Sequence, residues 1–304
     1  FTATPEAGYY ISRVAYEYNG NTVELYAGTQ ADITAQTYSF EMPHYDVKLI
    51  VEFAKVDYTI DVTTSNTATV GQGSVAASKD IANAGNQITL TVTPEYGYNL
   101  KSLVVTYIAG GETLVVPVMV TTENVFVFTM PAADVTVTAS FVKDQYTVLF
   151  RDYNGVLLDT QTVKYRENPS LDVMVPTRDG YVFTGWTSAD VETAVTAPST
   201  TETDFVIIRN TVITANYVTA EYGISYNTPE NGGVTGPAAA NFMENVTFTV
   251  TPETGYQINK VTATYMDANG EKQTITFTSV PADLTIGGDY SFVMPAGDVE
   301  INVS

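Results

Sequence analysis

The chain has 304 residues and a net charge of −21, from 34 acidic and 13 basic side chains. At this length two or more domains are the usual arrangement. The negative charge repels phosphate backbones and anionic lipids, so we expect no nucleic-acid binding. There is no cysteine, and His44 is the single histidine, which excludes disulfide frameworks, thiolate nucleophiles and His-rich metal sites. No apolar run of about 18 residues occurs, so we expect no membrane insertion, and residues 1–5 show no targeting segment.

Composition predicts the fold class. The 21 tyrosines and 13 phenylalanines, with abundant threonine and valine, favour strands over helices. Apolar residues alternate with threonine along residues 87–93, 135–141 and 246–251. Such alternation is typical of half-buried antiparallel strands, so the sequence predicts an all-β protein built of small antiparallel modules.

Two motifs recur along the chain. The first is FTATPEAGYYI at 1–11, LTVTPEYGYNL at 90–100 and FTVTPETGYQI at 248–258. The second follows each copy: FEMPHYDVKLIVEF at 40–53, FTMPAADVTVTASF at 128–141 and FVMPAGDVEINVS at 292–304. A pair of linked motifs at regular distance defines one repeated module.

The first motif predicts a strand, a tight turn and a second strand. Proline cannot donate to a β-ladder and ends the first strand, while Gly8, Gly97 and Gly255 supply a positive φ in the turn. The following tyrosine is expected to open the next strand. Tyr16, Tyr107 and Tyr265 lie at similar distances beyond, which predicts a shared packing position.

Each copy of the second motif has an aspartate just before a β run: Asp46, Asp134 or Asp298. A short carboxylate at this place is expected to accept hydrogen bonds from turn amides. The alternative role is a metal ligand or a partner in a lysine crosslink. The glycine pairs at 110–111, 232–233 and 287–288 lack a P-loop lysine and a following helix, so they are interpreted as hairpin loops.

A different module occupies residues 146–217. Asn154-Gly155 predicts a hairpin with a type I′ turn. This hairpin, the stretch from Gly180 to Trp186 (GYVFTGW) and the closing ITANY at 213–217 together resemble the internalin-type B repeat, also called the Listeria-Bacteroides repeat. The TP-E-x-GY and MP-x-x-DV modules resemble its divergent relatives, the bacterial repeat domains. The resemblance implies secreted or wall-anchored bacterial surface proteins and a small β-grasp-like fold, and it carries no catalytic residues. The small antiparallel modules are therefore expected to be β-grasp-like or sandwich-like.

The motifs place four modules, which keep these numbers below: module 1 at 1–56, a partial divergent repeat; module 2 at 57–143, a divergent repeat; module 3 at 144–219, the B repeat; and module 4 at 220–304, a divergent repeat. Four residues separate the closing aromatic of one module from the opening tyrosine of the next. Short linkers without glycine or proline predict an elongated, semi-rigid array and a monomeric rod. The partial first module predicts a segment of a longer repetitive chain, and the alternative is a natural or trimmed terminus.

No residue is assigned a catalytic, cofactor-binding or metal-binding role, and no cofactor is expected. His44 is expected on a turn surface. Trp186 is expected in a core or interface, with a sugar-stacking platform as the alternative. No pair of carboxylates is marked out as a glycosidase pair. The acidic surface is expected to keep an extended array soluble, and cation dependence is a second hypothesis.

These observations predict a non-enzymatic extracellular repeat region, a stalk or an adhesin-like interaction module, of a bacterial surface protein. The alternative is a carbohydrate-binding or spacer region of a secreted polysaccharide-degrading enzyme, in which Trp186 and exposed tyrosines stack on sugars. A protein or a glycan remains open as the binding partner. Location at the cell surface or in the medium is expected from the resemblance alone.

Overall fold

The computed structural model describes residues 1–64, 72–192 and 194–304. Within these ranges the protein is all-β: the strands are accompanied by one short 3₁₀ turn, Glu202–Asp204, and by no α-helix. The chain divides into two compact units, 1–144 and 145–304. The all-β prediction is confirmed.

Module 1 has a three-stranded antiparallel sheet, in the order β3-β2-β5, and a separate two-stranded pair, β1-β4. Ala3, Ile11 and Val14 are buried together with Tyr38 and Val51 packed against them. The strands are β1 (Thr2–Ala3), β2 (Tyr9–Tyr18), β3 (Asn21–Ala27), β4 (Gln36–Thr37) and β5 (Lys48–Lys55).

Module 2 is a two-sheet sandwich. Alternating side chains of both sheets meet in one core that includes Ile60, Leu90, Phe128 and Val137. The strands are β6 (Asp57–Thr64), β7 (Gly73–Ala77), β8 (Ile81–Asn83), β9 (Gln87–Pro94), β10 (Tyr98–Ala109), β11 (Glu112–Val116), β12 (Met119–Thr122), β13 (Val125–Thr129) and β14 (Val135–Lys143). Their orders are β11-β10-β14-β6-β8 and β12-β13-β9-β7.

Module 3 has one five-stranded sheet in the order β16-β15-β19-β17-β18. Phe150, Trp186, Phe205 and Ile213 form the centre of its core. The strands are β15 (Gln145–Arg151), β16 (Leu157–Lys164), β17 (Tyr181–Ser188), β18 (Val195–Ser199) and β19 (Thr211–Thr219).

Module 4 repeats the sandwich of module 2, with three described strands instead of four in the second sheet. Its core includes Phe248, Phe292, Val299 and Ile301. The strands are β20 (Glu221–Tyr226), β21 (Gly232–Thr235), β22 (Ala239–Asn241), β23 (Asn245–Pro252), β24 (Val261–Met266), β25 (Lys272–Thr274), β26 (Gly288–Val293) and β27 (Val299–Val303). Their orders are β22-β20-β27-β24-β25 and β21-β23-β26.

Most ladders are antiparallel, as the alternation predicts, but modules 2, 3 and 4 each contain one parallel pair. The first and last long strands of each module pair in this way: β6 with β14, β15 with β19 and β20 with β27. Because two parallel strands run in the same direction, the chain enters a module at one end of this pair and leaves at the other.

The predicted turns of the first motif are confirmed. Gly8 and Gly97 have φ of 84°, and Gly255 has 91°. β2 and β10 begin at Tyr9 and Tyr98, directly after the turn, whereas the third tyrosine, at position 256, lies five residues before β24. The tyrosine prediction therefore holds for two of the three copies.

The shared position assigned to Tyr16 is wrong. Tyr16 lies opposite Leu49, as Val105 lies opposite Val137, so its counterpart in module 2 is Val105. Tyr107 and Tyr265 do pack against the cores of their modules. The error arose because the glycine-to-tyrosine spacing is two residues shorter for Tyr16.

The glycine pair at 110–111 does connect a hairpin, between β10 and β11. The pair at 232–233 does not, because it lies inside β21, and the second glycine of 287–288 begins β26. The type I′ turn at Asn154-Gly155 is also wrong. Gly155 alone has a positive φ, 85°, and its N–H donates to the Asp152 carbonyl at 2.9 Å, which is a type I turn followed by a bulge. The Asp152 carboxylate accepts from the Tyr153 N–H and stabilises this turn.

Candidate functional site

The repeated aspartates connect the first and last strands of their modules. Asp134 Oδ1 accepts a hydrogen bond from the Thr59 N–H at 2.7 Å, and Asp298 Oδ1 accepts one from the Gly223 N–H at 2.7 Å. The predicted partner, an amide of the local turn, is wrong, because each donor belongs to the first strand, 75 residues earlier. Each carboxylate fixes the start of the last strand beside the parallel ladder.

Module 3 achieves the same contact with an amide side chain. Asn210 Oδ1 accepts from the Thr147 N–H at 2.9 Å, directly before β19 pairs with β15. We call Asp134, Asn210 and Asp298 the acceptor residues. The use of a neutral side chain in module 3 indicates that the position needs an oxygen acceptor and that a charge is dispensable.

The structure gives no support to the alternative role of these residues as metal ligands. Within 1–64, 72–192 and 194–304, no group of three or more acidic or histidine side chains is placed to hold a metal ion. Asp46, the counterpart in module 1, is exposed, and so is His44, which lies on a bend two residues earlier. The turn-surface prediction for His44 is confirmed.

A single residue links each module to the next. β5 ends at Lys55 and β6 begins at Asp57, and the other two linkers have the same length, with Asp144 and Ala220 as the single residues. In every case the linker N–H donates to the carbonyl of a glycine in the preceding turn. The three bonds are Val56 to Gly8 at 2.9 Å, Asp144 to Gly97 at 2.8 Å and Ala220 to Gly180 at 2.9 Å.

Within the first unit, the turn glycine of module 1 contacts module 2. A Cβ atom placed on Gly8 would lie 2.8 Å from the Cβ of Ala84. The Gln30 side chain of module 1 accepts a hydrogen bond from the Asp57 N–H of module 2 at 2.7 Å. Modules 1 and 2 therefore meet at a close, hydrogen-bonded junction.

The second unit has an equivalent junction between modules 3 and 4. The Phe242 ring packs against Gly180 and lies edge-on to Tyr181, with ring centroids 5.5 Å apart. The Phe242 N–H donates to the carbonyl of the linker residue, Ala220, at 2.8 Å. Phe242 follows β22 as Ala84 follows β8, so the same turn forms both junctions.

Trp186 is a core residue, and the sugar-stacking alternative for it is wrong. Its side chain is 2% exposed and lies edge-on to Phe150 and Phe183, at centroid distances of 5.0 and 5.4 Å. A ring with both faces covered by protein cannot stack on a sugar.

Arg178 was not predicted from the sequence to have a structural role. The Cζ atom of its guanidinium lies 3.9 Å from the centre of the Tyr153 ring, 3.4 Å from that of Tyr181 and 5.9 Å from that of Tyr217. Cation–π contacts of this kind stabilise by about 0.5–2 kcal/mol. The available signal was an arginine three residues before a strand-opening tyrosine, next to a hairpin with an exposed tyrosine.

The shifted carboxylates do not have the raised pKa of a general acid. In the described part of the chain, the carboxylates whose pKa departs from its ordinary value are shifted downward. Hydrogen bonds are the leading cause: the Arg13 guanidinium lowers the pKa of Glu24, the Thr29 amide that of Asp32, the Glu271 amide that of Asp267, and the Thr285 hydroxyl that of Asp283. A carboxylic acid that donates a proton near neutral pH needs a raised pKa instead.

Comparison with known proteins identifies two of the modules. Residues 60–145 match the family model of the divergent InlB B-repeat domain, and residues 146–216 match that of the Listeria-Bacteroides repeat domain. The chain is 46% identical over 63 residues to Internalin H of Listeria monocytogenes serovar 1/2a, an alignment covering 20% of this chain and 10% of that protein. No solved structure matches the chain. The resemblance predicted from the motifs is confirmed, and both repeats are typical of bacterial surface proteins.

No helix within the described ranges has the length and apolar character needed to cross a membrane.

Proposed function

From these two repeat domains we propose that the chain is a non-enzymatic stalk region of a bacterial surface protein. In this proposal four modules, 1–56, 57–143, 144–219 and 220–304, lie in series outside the cell. The chain is monomeric and extended. It holds an adhesive surface, located elsewhere on the protein, away from the cell surface. A scattering curve with the radius of gyration of a compact 33 kDa particle would contradict the extended arrangement.

The parallel pairing of first and last strands carries the proposal. A pulling force on the two ends of a module acts on neighbouring strands that run in the same direction. All hydrogen bonds of the ladder are then loaded together, whereas an antiparallel hairpin pulled at its open end breaks them one after another. The mixed sheet of module 3 has the same pair at its centre, which supports a β-grasp-like assignment for that module.

The ladders differ in length among the modules. Five residue pairs join β6 to β14, four join β15 to β19, and three join β20 to β27. Each acceptor residue adds one further bond next to the ladder. We therefore expect module 2 to yield at a higher force than module 3. In module 4, Asn227 extends the short ladder by three hydrogen bonds between the end of β20 and β27.

Single-molecule force spectroscopy tests the proposal, and the absence of cysteine makes introduced attachment points unique. Cysteines at Glu221 and Ser304 load β20 against β27 in parallel. Cysteines at Lys260 and Ser304 load the antiparallel β24 and β27 from the end of their ladder, where Val261 lies opposite Val303. The first pair should resist the larger force, and an equal or smaller force would argue against a load-bearing role.

Carbohydrate binding is not favoured by any of the contacts described above. The ring that the sequence offered, Trp186, is buried, and Arg178 occupies the space between Tyr153 and Tyr181. A glycan array with the intact chain distinguishes the two functions. Saturable binding to one glycan class would favour the carbohydrate-binding alternative.

A further inference from the structure

The dipeptide Asn-Gly recurs in the chain, at Asn19-Gly20, Asn154-Gly155, Asn231-Gly232 and Asn269-Gly270. An asparagine side-chain amide is thermally labile, and a following glycine leaves the next backbone nitrogen open to attack it, because glycine has no Cβ. All of these pairs lie within the described ranges, so the structure shows how firmly each one is held.

Asn19-Gly20 is the two-residue connection of the hairpin between β2 and β3. Both residues have a positive φ, 43° and 78°, which makes a type I′ turn. Both are exposed, and no atom lies within 4 Å of a Cβ placed on Gly20. The corresponding tip in module 2, at 110–111, is equally exposed although that module has both of its sheets. The tip is therefore open to water because it projects from its module.

The reaction available at this tip is deamidation through a succinimide. The Gly20 nitrogen loses its proton to water or hydroxide and attacks Cγ of Asn19. The new N–C bond closes a five-membered ring, the bond from Cγ to Nδ2 breaks, and Nδ2 takes up a proton and leaves as ammonia. Water then opens the ring at either carbonyl, which leaves aspartate or isoaspartate at position 19.

The peptide group between Asn19 and Gly20 is free to rearrange in this way. In the described part of the chain, the Gly20 N–H donates no hydrogen bond, and the Asn19 carbonyl accepts none from a backbone amide. The Asn21 side chain does donate to this carbonyl, but at 3.3 Å. The nitrogen can therefore lose its proton and reach Cγ without the loss of a backbone hydrogen bond.

The other three peptide groups are each held by a backbone hydrogen bond. In module 3 the Gly155 N–H donates to the Asp152 carbonyl at 2.9 Å. In module 4 the Gly270 N–H donates to the Asp267 carbonyl at the same distance. The fourth pair lies at the start of β21, and its asparagine carbonyl accepts from the Glu253 N–H at 2.9 Å. Reaction at these three pairs requires that the bond first be broken.

We propose that Asn19 is a deamidation site of this protein and that backbone hydrogen bonds protect Asn154, Asn231 and Asn269 from the same reaction. The product carries one more negative charge, and its isoaspartate form adds a carbon atom to the backbone between β2 and β3. Six residue pairs join these two strands, so the loss of the pair next to the turn leaves the ladder in place. The modified tip then accumulates with time in a module that stays folded.

Mass spectrometry of the full chain tests the proposal. The protein is incubated in warm alkaline buffer and digested with trypsin, which places Asn19, Asn154, Asn231 and Asn269 in separate peptides, 14–48, 152–164, 210–260 and 261–272. Fragment ions locate the converted residue and distinguish isoaspartate from aspartate. The same incubation in guanidinium chloride supplies the unfolded reference, in which no pair is protected.

Each rate in the native chain is compared with the rate at the same residue in the unfolded chain. Asn154, Asn231 and Asn269 should react about 3- to 10-fold more slowly in the native chain, because a hydrogen bond must break first. Asn19 should react at nearly its unfolded rate. Equal protection of all four residues, or no reaction at Asn19 in the native chain, would overturn the proposal.

Loosening a protected turn provides a second test. The Asp267 carboxylate accepts hydrogen bonds from the Asn269 and Glu271 N–H groups at 3.0 and 2.9 Å. Asp267→Ala should therefore raise the rate at Asn269 about 3- to 10-fold. The matched control is Asp283→Ala, which removes a carboxylate bonded to Thr285 in another loop of module 4 and should leave that rate unchanged. An unchanged rate in Asp267→Ala, or an equal rise in both variants, would contradict protection by the turn.

Discussion

The backbone of Gly180 lies against the ring of Phe242: a Cβ atom at Gly180 would be 2.5 Å from Cγ of that ring. Gly180 also has a φ of 78° and accepts the hydrogen bond of the linker residue Ala220. One glycine therefore meets three requirements at the junction of modules 3 and 4. It adopts a left-handed turn, its carbonyl accepts the linker hydrogen bond, and it allows close approach by an aromatic ring.

Gly180→Ala should destabilise the second unit more than Gly155→Ala does. Both glycines have a left-handed φ, 78° and 85°, but no atom lies within 4 Å of a Cβ at Gly155. Strain alone should cost about 1 kcal/mol at Gly155, and overlap with Phe242 should add about 1–3 kcal/mol at Gly180. Urea unfolding measures the difference. Equal losses would show that the Phe242 contact gives way without cost.

Asp298→Ala should lower the free energy of unfolding of module 4 by about 1 kcal/mol, because the Gly223 N–H loses its acceptor. Asp298→Asn retains an amide oxygen at the same place, as Asn210 does in module 3, and should cost less. Thermal unfolding of the two variants provides the comparison. An equal loss in both would mean that the negative charge, rather than the acceptor, is required.

Tryptophan fluorescence reports directly on Trp186, because it is the single tryptophan of the chain. Burial between Phe150 and Phe183 predicts blue-shifted emission that iodide does not quench until the protein unfolds. Emission typical of water-exposed tryptophan in the native protein would contradict the core position. Trp186→Ala should cost about 3–5 kcal/mol, which makes it unsuitable as a binding-site variant.

Alkaline pH should destabilise module 4. Burial raises the pKa of Tyr226 and Tyr290 above the ordinary value of about 10. Their contribution to stability is therefore fully present below pH about 10, the pKa in the unfolded chain, and is lost as the pH rises through the folded pKa. Urea unfolding at increasing pH measures this loss, and Tyr290→Phe should make it smaller. A pH dependence unchanged by that variant would exclude Tyr290 as a source.

Local geometry was predictable where a residue type imposes it. The turns at Gly8, Gly97 and Gly255 follow from the positive φ that glycine tolerates, and the strand ends at Pro94 and Pro252 follow from the missing N–H. The type of the hairpin turn at Gly155 was not predictable from the Asn-Gly pair alone. The Asp152 and Asn154 side chains accept hydrogen bonds from the Tyr153 and Val156 N–H groups, and these bonds favour a different turn.

The sequence pattern did not predict which distant residues contact each other in the folded protein. Asp134 and Asp298 were recognised as repeated, but their partner amides are 75 residues away and become neighbours only when the first and last strands pair. Alternation placed Trp186 on a strand without deciding which face is buried.

The one-residue linkers leave no spare chain between neighbouring modules of one unit. Val56 and Ala220 each donate their N–H to a turn glycine of the preceding module, and the next residue already begins the first strand of the following module. The strands of each module keep their register through their own ladders, so a residue inserted at such a linker would be accommodated there and not inside a module. The insertion would therefore disrupt the hydrogen bond of the junction while both modules stay folded, so the coupling between two neighbours can be changed independently of their stability.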